Sequence, residues 1–512
     1  MLTISKPRIE GNRVTCTVSL NDKPQECYFE IDEKYADKLS DSVDPFVIGL
    51  LPGAMKGRHD IVCESPVTDE LYFNITNILI PTLLKFDGSL RPITITADTV
   101  PEDPEIYNEE RHVGSSLTMG IDSFYVLKKY SGTGSRMDVD FCALFNISDF
   151  NIYKDTENTE ALLRDRAQKV CDEIGMPLVF IKSNIATTHF SSIYGIRINY
   201  YHIAAIVAMK KLFRRYYLGS SYTIEEQTLV NHSTSTGGYS EFFLLDVFST
   251  KGLRMVDLPY EADRVEKTKE LVGWPLAQKY LHVCMIRPYN CGVCKKCRRT
   301  LLTLDAIDEL DGFGQVFDVE YYRKNRRDYF EWMQLRGGSG DLFCKELSEM
   351  MRKKYPDLYR TDGQLMKFVD NLYIGRYKDK NNDEAAEQKK VWNDNLQRIM
   401  DALMVRLSEL DAKKIYLYGK NSRIKDIQKR MADEGVDICG ILDSKTVDDY
   451  DLSDRKAADA LVVCSSSTYA VGQAKIVLSY HDAIPTIYLD EVVSETVRTE
   501  RSRFPSTPPW PS

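Results

Sequence analysis

The sequence predicts an α/β protein built around a central parallel sheet, flanked by a β-rich unit before it and a smaller α/β unit after it. Three observations carry this. Between residues 111 and 310, apolar or β-branched runs alternate with amphipathic helical patterns, the β-α-β-α order of a parallel sheet with helices on both faces. Residues 1 to about 105 hold only short strand-like runs separated by turn signals. After residue 413 a second, shorter strand–helix alternation begins. The predicted partition is a β-rich domain over 1–105, the central domain over 106–317, a helical segment over 318–410, a small α/β domain over 411–497 and a disordered tail over 498–512.

Each element has its own signal. In the first stretch RVTCTVSL, ECYFEI and RPITITAD alternate or are β-branched, with IEGN, LNDKP and FDGS as turns. An acidic link, TVPEDPEIYNEE, carries Glu102, Asp103 and Glu105 into the central domain. There VGSSLTMGIDS reads as strand and turn, FYVLKKY as helix and VDFCALFNI as a buried strand. TEALLRDRAQKVCDEIG is an amphipathic helix ending at Gly175, and PLVFIKSNI the next strand. INYYHIAAIVAMKKLFRRYY reads as one long helix followed by LGSS. Ligands of such sheets bind beyond the carboxyl ends of the strands. DLFCKELSEMMRKKY and EQKKVWNDNLQRIMDALMVRLSEL are charged helical stretches. KKIYLYGKNS, VDICGILDS, ADALVVCSSST and IPTIYLDEV supply the last strands, with RIKDIQKRMADEG as a helix. This end resembles the start of a Rossmann-like fold but lacks GxGxxG, since Lys420, Asn421 and Ser422 follow Gly419. Asp443 stands where a ribose-binding acid would sit. A docking or regulatory module without cofactor is expected, and the tail RFPSTPPWPS is proline-rich.

Composition narrows the function classes. At 512 residues the chain exceeds one ordinary core, and 43% hydrophobic with 28% charged residues excludes a wholly disordered polymer. A net charge of -9 argues against a grip on long nucleic acid, which needs a positive surplus. The expected partners are a small-molecule substrate and a protein partner or protein substrate, with room for a homodimer. No apolar run is long enough for a bilayer, and MLTISKPRIEGNRV lacks the apolar core of a secretory signal, so a cytoplasmic protein is expected. The 12 cysteines then read as thiols or metal ligands.

Two motifs carry chemistry. Thr118, Met119, Gly120, Ile121, Asp122 and Ser123 lie between a strand and a helix. A glycine there lets backbone N–H groups approach phosphate, and the helix N-terminus adds partial positive charge. The hydroxyls of Thr118 and Ser123 can donate to phosphate, and Asp122 can hold Mg²⁺ or cap the helix. The plainer reading is the cap alone. The second motif is Cys284 followed by CGVCKKC, which sets Cys291, Cys294 and Cys297 at C-x2-C-x2-C spacing. Four thiolates on a tight loop suit a closed, structural tetrahedral Zn²⁺, with an iron–sulfur cluster or buried thiols as alternatives. Gly292 permits the turn, and Lys295, Lys296, Arg298 and Arg299 offset thiolate charge.

The first motif resembles SGGxDS of the PP-loop ATP pyrophosphatases, whose domain is HUP-like. Thr118 replaces the serine and Met119 the first glycine, while Gly120, Asp122 and Ser123 keep their places. With the cysteine motif following in order, residues 111–310 resemble 7-cyano-7-deazaguanine synthase, the PP-loop enzyme of queuosine biosynthesis, in the manner of a divergent paralogue with extra domains. Related proteins occur in secondary-metabolite and anti-phage gene clusters, which widens the substrates implied.

The resemblance implies an ATP-dependent ligase of amidotransferase type. ATP would adenylate a carboxylate or carbonyl oxygen, of a 7-deazapurine in that family, and release pyrophosphate. Ammonia, an amine or a sulfur nucleophile would then displace AMP. Asp122 and Ser123 are the implied catalytic pair, and the 118–123 loop holds pyrophosphate with Mg²⁺. Asn146 and Ser148 would lie beside adenosine, against a plainer reading as a loop cap. Gly219, Ser220 and Ser221 would approach the nucleotide, against a helix C-cap at Gly219. Lys182, Arg264 and Lys267 are candidate phosphate ligands, against solvated faces, and Ser183 ends its strand beside Lys182. His189, His202 and His232 read as structural, and Cys142 and Cys171 as core. No pair of cysteines near the loop resembles the catalytic pair of persulfide-using thiolases, although Cys63 or Cys344 could approach it in space, and this argues with the acidic charge against a tRNA thiolase. A nucleotide sensor without chemistry and a thioamide- or thiopurine-forming enzyme are the competing readings.

Overall fold

The computed structural model describes residues 1–147, 156–188, 197–230, 237–284, 287–338, 342–358, 383–419, 423–442, 457–464, 484–489 and 492, positions 22, 89 and 109 aside. The chain divides into two compact units, Met1–Lys324 and Asn325–Ser512.

The first unit holds an 11-stranded sheet. Its N-terminal strands are β1 (Leu2–Ile4), β2 (Arg8–Glu10), β3 (Arg13–Leu20), β4 (Lys23–Ile31) and β5 (Ile61–Cys63). A small parallel pair, β6 (Val67–Thr68) and β8 (Thr99–Val100), stands apart, and β7 (Ile95–Thr96) joins the main sheet. Then come β9 (His112–Ser116), β10 (Phe141–Asn146), β11 (Leu178–Ser183), β12 (Phe213–Gly219) and β13 (Arg254–Leu258). The order is β13-β12-β9-β10-β11-β4-β3-β1-β5-β7, with β2 beside β3. From β13 to β11 all pairings are parallel. At β11 the sheet continues by antiparallel pairing to β4, β3 and β1.

The stretch 1–105, expected as a separate β-rich domain, is therefore the second half of one sheet. It also contains helices the sequence reading did not anticipate: α1 (Asp44–Gly57), α2 (Asp69–Phe73) and α3 (Ile80–Phe86). In α1 eleven of fourteen residues are buried, so DPFVIGLLPGAMKG is apolar nearly all round and shows no amphipathic period.

The parallel half follows the expected alternation. After β9 comes α4 (Ile121–Lys129), after β10 α5 (Thr156–Ile174) and after β11 α6 (Arg197–Ala208). The central strands are buried on both faces, as in FCALF of β10. Phe145, Val179 and Ile181 share a core with α1 and α6, while the Arg164 guanidinium of α5 lies 4.8 Å over the Phe180 ring on the other face. Gly49 lets α1 pack on the turn that follows β11, since a Cβ there would run into the Ile185 side chain. The long helix expected over INYYHIAAIVAMKKLFRRYY ends at Ala208, and FRRYYLG is strand β12. Aromatic residues there fit a central strand, with Phe213 and Tyr216 fully buried between β9 and β13.

One buried ion pair ties the halves together. Asp44 at the start of α1 accepts from Thr68 N at 2.9 Å and from Lys210 Nζ at 3.0 Å, just beyond α6. Burial works to raise its pKa, but Lys210, Thr68 and Ser42 outweigh that and hold it below the ordinary carboxylate value.

In the second unit the described residues of 325–410 are mostly helical, within Val319–Gly338, Leu342–Lys354 and Asp383–Glu409. A four-stranded parallel sheet follows, β15-β14-β16-β17, from β14 (Lys414–Tyr418), β15 (Asp437–Leu442), β16 (Ala460–Val463) and β17 (Thr486–Tyr488). Ile399, Leu403 and Leu407 pack on one face with Ile415, Leu417 and Ile427. Lys420–Ser422, Asp443 and the tail lie outside the described residues. Among the described residues no helix is long and apolar enough to cross a membrane.

Candidate functional site

The 118–123 loop sits beyond the carboxyl end of β9. Leu117 N still bonds Ala143 O on β10, after which the chain turns. Met119 adopts φ 59°, a left-handed conformation that disfavours side chains, and is nevertheless buried. Gly120 is extended and starts α4 without a capping side chain. The loop hydroxyls bond one another: Thr118 Oγ1 and Ser123 Oγ are 3.1 Å apart, Gly120 N donates to Thr118 Oγ1 at 3.4 Å, and Ser123 Oγ donates to Gly120 O at 3.2 Å.

Asp122 does not cap the helix. Its carboxylate meets Arg264 at 2.9 Å and Lys267 at 3.6 Å, both from α8 (Arg264–Leu271). A capping box between Asp263 and Glu266 fixes the start of α8. Lys267 is fully buried, so the reading as a solvated face fails there, and its ammonium donates to Ser220 O at 2.7 Å. Gly219 is the last residue of β12, not a helix C-cap. A Cβ on it would lie 2.7 Å from the Asp122 carbonyl carbon. Only glycine allows β12 to end this close to the loop.

Two acids not anticipated from sequence complete the group. Asp257 near the end of β13 is fully buried and accepts from Gln227 Nε2 at 2.8 Å. Glu241 begins α7 (Glu241–Val247) and accepts from Ser221 N at 3.1 Å. Burial, with the charges of neighbouring carboxylates, pushes Asp257 up to about 7 and Glu241 up to about 8. Asp122, Asp257 and Glu241 thus lie within one another's electrostatic reach, with the Lys267 ammonium among them. Asp122 Oδ1 and Asp257 Oδ1 are buried without hydrogen-bond partners. The signal for Asp257 was slight, an aspartate at an inward position of the strand RMVDL, and Glu241 at the start of a helix had none.

Other candidates fall elsewhere. Asn146 ends β10, but its amide donates to Glu160 of α5. Lys182 pairs with Glu30 at 2.7 Å and Ser183 donates to Tyr28 O, so both serve the β11–β4 junction. His202 packs against Phe145, with ring centroids 5.4 Å apart. Cys142 and Cys171 are buried, and Cys63 is on β5, six strands from β9. Ser148, His189 and His232 lie outside the described residues.

The cysteines form a candidate metal centre. The sulfurs of Cys284, Cys291, Cys294 and Cys297 all lie within 4.8 Å of one another, with Cys284 and Cys294 at 4.0 Å. Sulfurs bound to one zinc at about 2.3 Å stand about 3.8 Å apart in a tetrahedron, so the group needs only slight contraction. Cys294 N points at Cys291 Sγ at 3.4 Å and Cys297 N at Cys294 Sγ at 3.5 Å, the turn that C-x2-C spacing produces. Hydrogen bonding led by Cys284 holds the Cys294 thiol far below its ordinary range and Cys291 and Cys297 above it. The cluster heads the helix Lys295–Ala306, whose buried Leu301, Leu302 and Leu304 dock it.

His282, also missed in the sequence, connects the two motifs. Its N–H donates to Met119 O at 2.9 Å. Its ring is buried, accordingly pushed down to about 4, with Nε2 2.9 Å from Arg287 O. Comparison with protein-family models, with curated proteins and with solved structures finds no match to the chain.

Proposed function

We propose that the chain is an ATP-using enzyme that adenylates a carboxylate or carbonyl oxygen of a small heterocycle, such as a 7-deazapurine acid, and passes it to ammonia, an amine or a sulfur nucleophile. The observation that carries this is the convergence, beyond the ends of parallel strands β9, β12 and β13, of an uncapped helix start, a glycine pressed on the loop and two α8 cations. Anionic phosphates are what such a place suits.

The residues would divide the work as follows. Amides of the 118–123 loop and the start of α4 would bind the pyrophosphate portion, and Gly219 would let the nucleotide lie close to β12. Arg264 and Lys267 would offset phosphate charge as the α-phosphorus–oxygen bond to pyrophosphate breaks and the substrate oxygen takes its place. Asp122 Oδ1, which accepts no hydrogen bond and has the Lys267 ammonium 3.6 Å away, is the oxygen that would hold Mg²⁺, and Mg²⁺ would supply charge neutralisation of the departing pyrophosphate. The four cysteines would hold structural Zn²⁺.

The test is AMP release. The pure, metal-loaded protein is incubated with ATP, Mg²⁺, ammonia or amines and a panel of deazapurine and small carboxylic acids. AMP and pyrophosphate formed with one acid and absent without it are expected. No AMP with any acid overturns the enzymatic reading. One observation favours a second reading, nucleotide sensing without chemistry: Met119 stands buried and left-handed where the resembling motif has glycine. Tight ATP binding without turnover would select it.

A further inference from the structure

We infer that the cysteine knuckle is the positioning device of the 118–123 loop, so that metal occupancy decides whether the loop keeps its shape. The inference concerns regulation of the proposed nucleotide site, and its consequence for ATP rests on that reading.

The argument begins with strain. A side-chain-bearing residue in the left-handed region is strained, so Met119 would relax unless held. The hydrogen bond that holds its carbonyl comes from His282 N–H, two residues before Cys284. The same backbone passes over the loop, since a Cβ on Gly120 would stand 3.9 Å from His282 O.

Segment 281–283 is in turn pinned by one side chain. Asn290 Oδ1 accepts from Val283 N at 2.9 Å, and its Nδ2 donates to Leu281 O at 2.8 Å and Val316 O at 3.0 Å. Asn290 directly precedes Cys291. The clamp on His282 is therefore closed at both ends by cysteines of the cluster, Cys284 and Cys291. Four thiolates this close repel one another, and a divalent cation turns that repulsion into a closed ring. Opening the ring would free Asn290, then segment 281–283, then Met119 O.

The experiment uses the full chain, zinc-loaded and chelator-treated, with two readouts. Hydrogen exchange of peptides spanning 117–123 reports the loop without any nucleotide. Calorimetry with ATP reports its use. Removing zinc should raise loop exchange at least tenfold, leave peptides of β3 and β4 unchanged and weaken ATP binding at least tenfold. Asn290→Ala, which keeps all four cysteines, should retain zinc and show the same loop loosening in smaller measure. Unchanged loop exchange in the zinc-free protein overturns the inference. If the zinc-free protein unfolds, Asn290→Ala decides, and a zinc-bound variant with a parental loop overturns it. Loop loosening with no ATP binding in any form sinks the nucleotide reading alone.

Discussion

The two halves of the long sheet handle charge in opposite ways. In the parallel half, Asp122, Asp257, Glu241 and Lys267 are gathered at the ends of the strands, largely out of water. In the antiparallel half, Arg13, Glu30 and Lys182 form pairs on the open face of β3, β4 and β11. There, alternate residues of β3 and β4 are buried, as in a sheet with one wet face. A charge at a strand end inside a parallel sheet is costly to keep, and it persists where it meets partners or a ligand. The open-face pairs need no such explanation, because water solvates them.

Mutations should sharpen this contrast, from the most to the least severe. Cys297→Ser removes a ligand from the cluster and is expected to abolish stoichiometric zinc, measured by elemental analysis, with a fall in Tm. Asp44→Ala strands Lys210 in the core and should cost about 3–5 kcal/mol in denaturant unfolding, because an unpaired buried charge remains. Asp44 is depressed in the folded state, so its contribution is present above the unfolded carboxylate pKa and fades as pH falls below about 4. Asp44→Ala should therefore lose less, relative to the parent, at pH 3 than at pH 7.

Gly219→Ala inserts a methyl against the backbone of Asp122 and should cost about 1–3 kcal/mol and weaken any ATP affinity. Glu241→Gln tests the acid pair. Glu241 is raised when folded, so the fold takes up protons as pH drops, and stability falls as pH rises from about 4 to about 8. The amide carries no charge to bury, so the variant should match the parent near pH 5 and exceed its Tm by several degrees near pH 8. A parallel loss at both values would mean the pair is not titrating. Lys182→Ala, on the open face, should change unfolding free energy by about 0.5 kcal/mol, the ordinary value of an exposed pair.

Sequence legibility followed the distance over which each feature is written. The loop before α4 and the cysteine cluster are local spacings, and both stand where their spacing implied a turn. Strands β10 and β11 were legible as apolar runs bounded by turns. Helix α1 was not, because burial on all sides erases the period that marks a helix. Strand β12 was read as helix because FRRYYLG continues an apolar helix without a breaker, and only its neighbours β9 and β13 make it a strand. Asp122 and Lys267 were legible as candidates, but their meeting with Glu241 and Asp257 was not, because the four come from four elements and share no local pattern.

The antiparallel seam at β11 has a consequence for synthesis of the chain. Ile31 pairs with Ile181, so one edge of β4 stays without its partner until about 150 further residues have been made. At ordinary translation rates that is roughly ten to thirty seconds, during which an open strand edge is exposed to other nascent chains. The hairpin of β3 and β4 forms early, but its open edge is paired only when β11, the third strand of the parallel half in chain order, has left the ribosome. Ribosome-bound chains ending before residue 178 should therefore recruit chaperones that chains extending past β11 release.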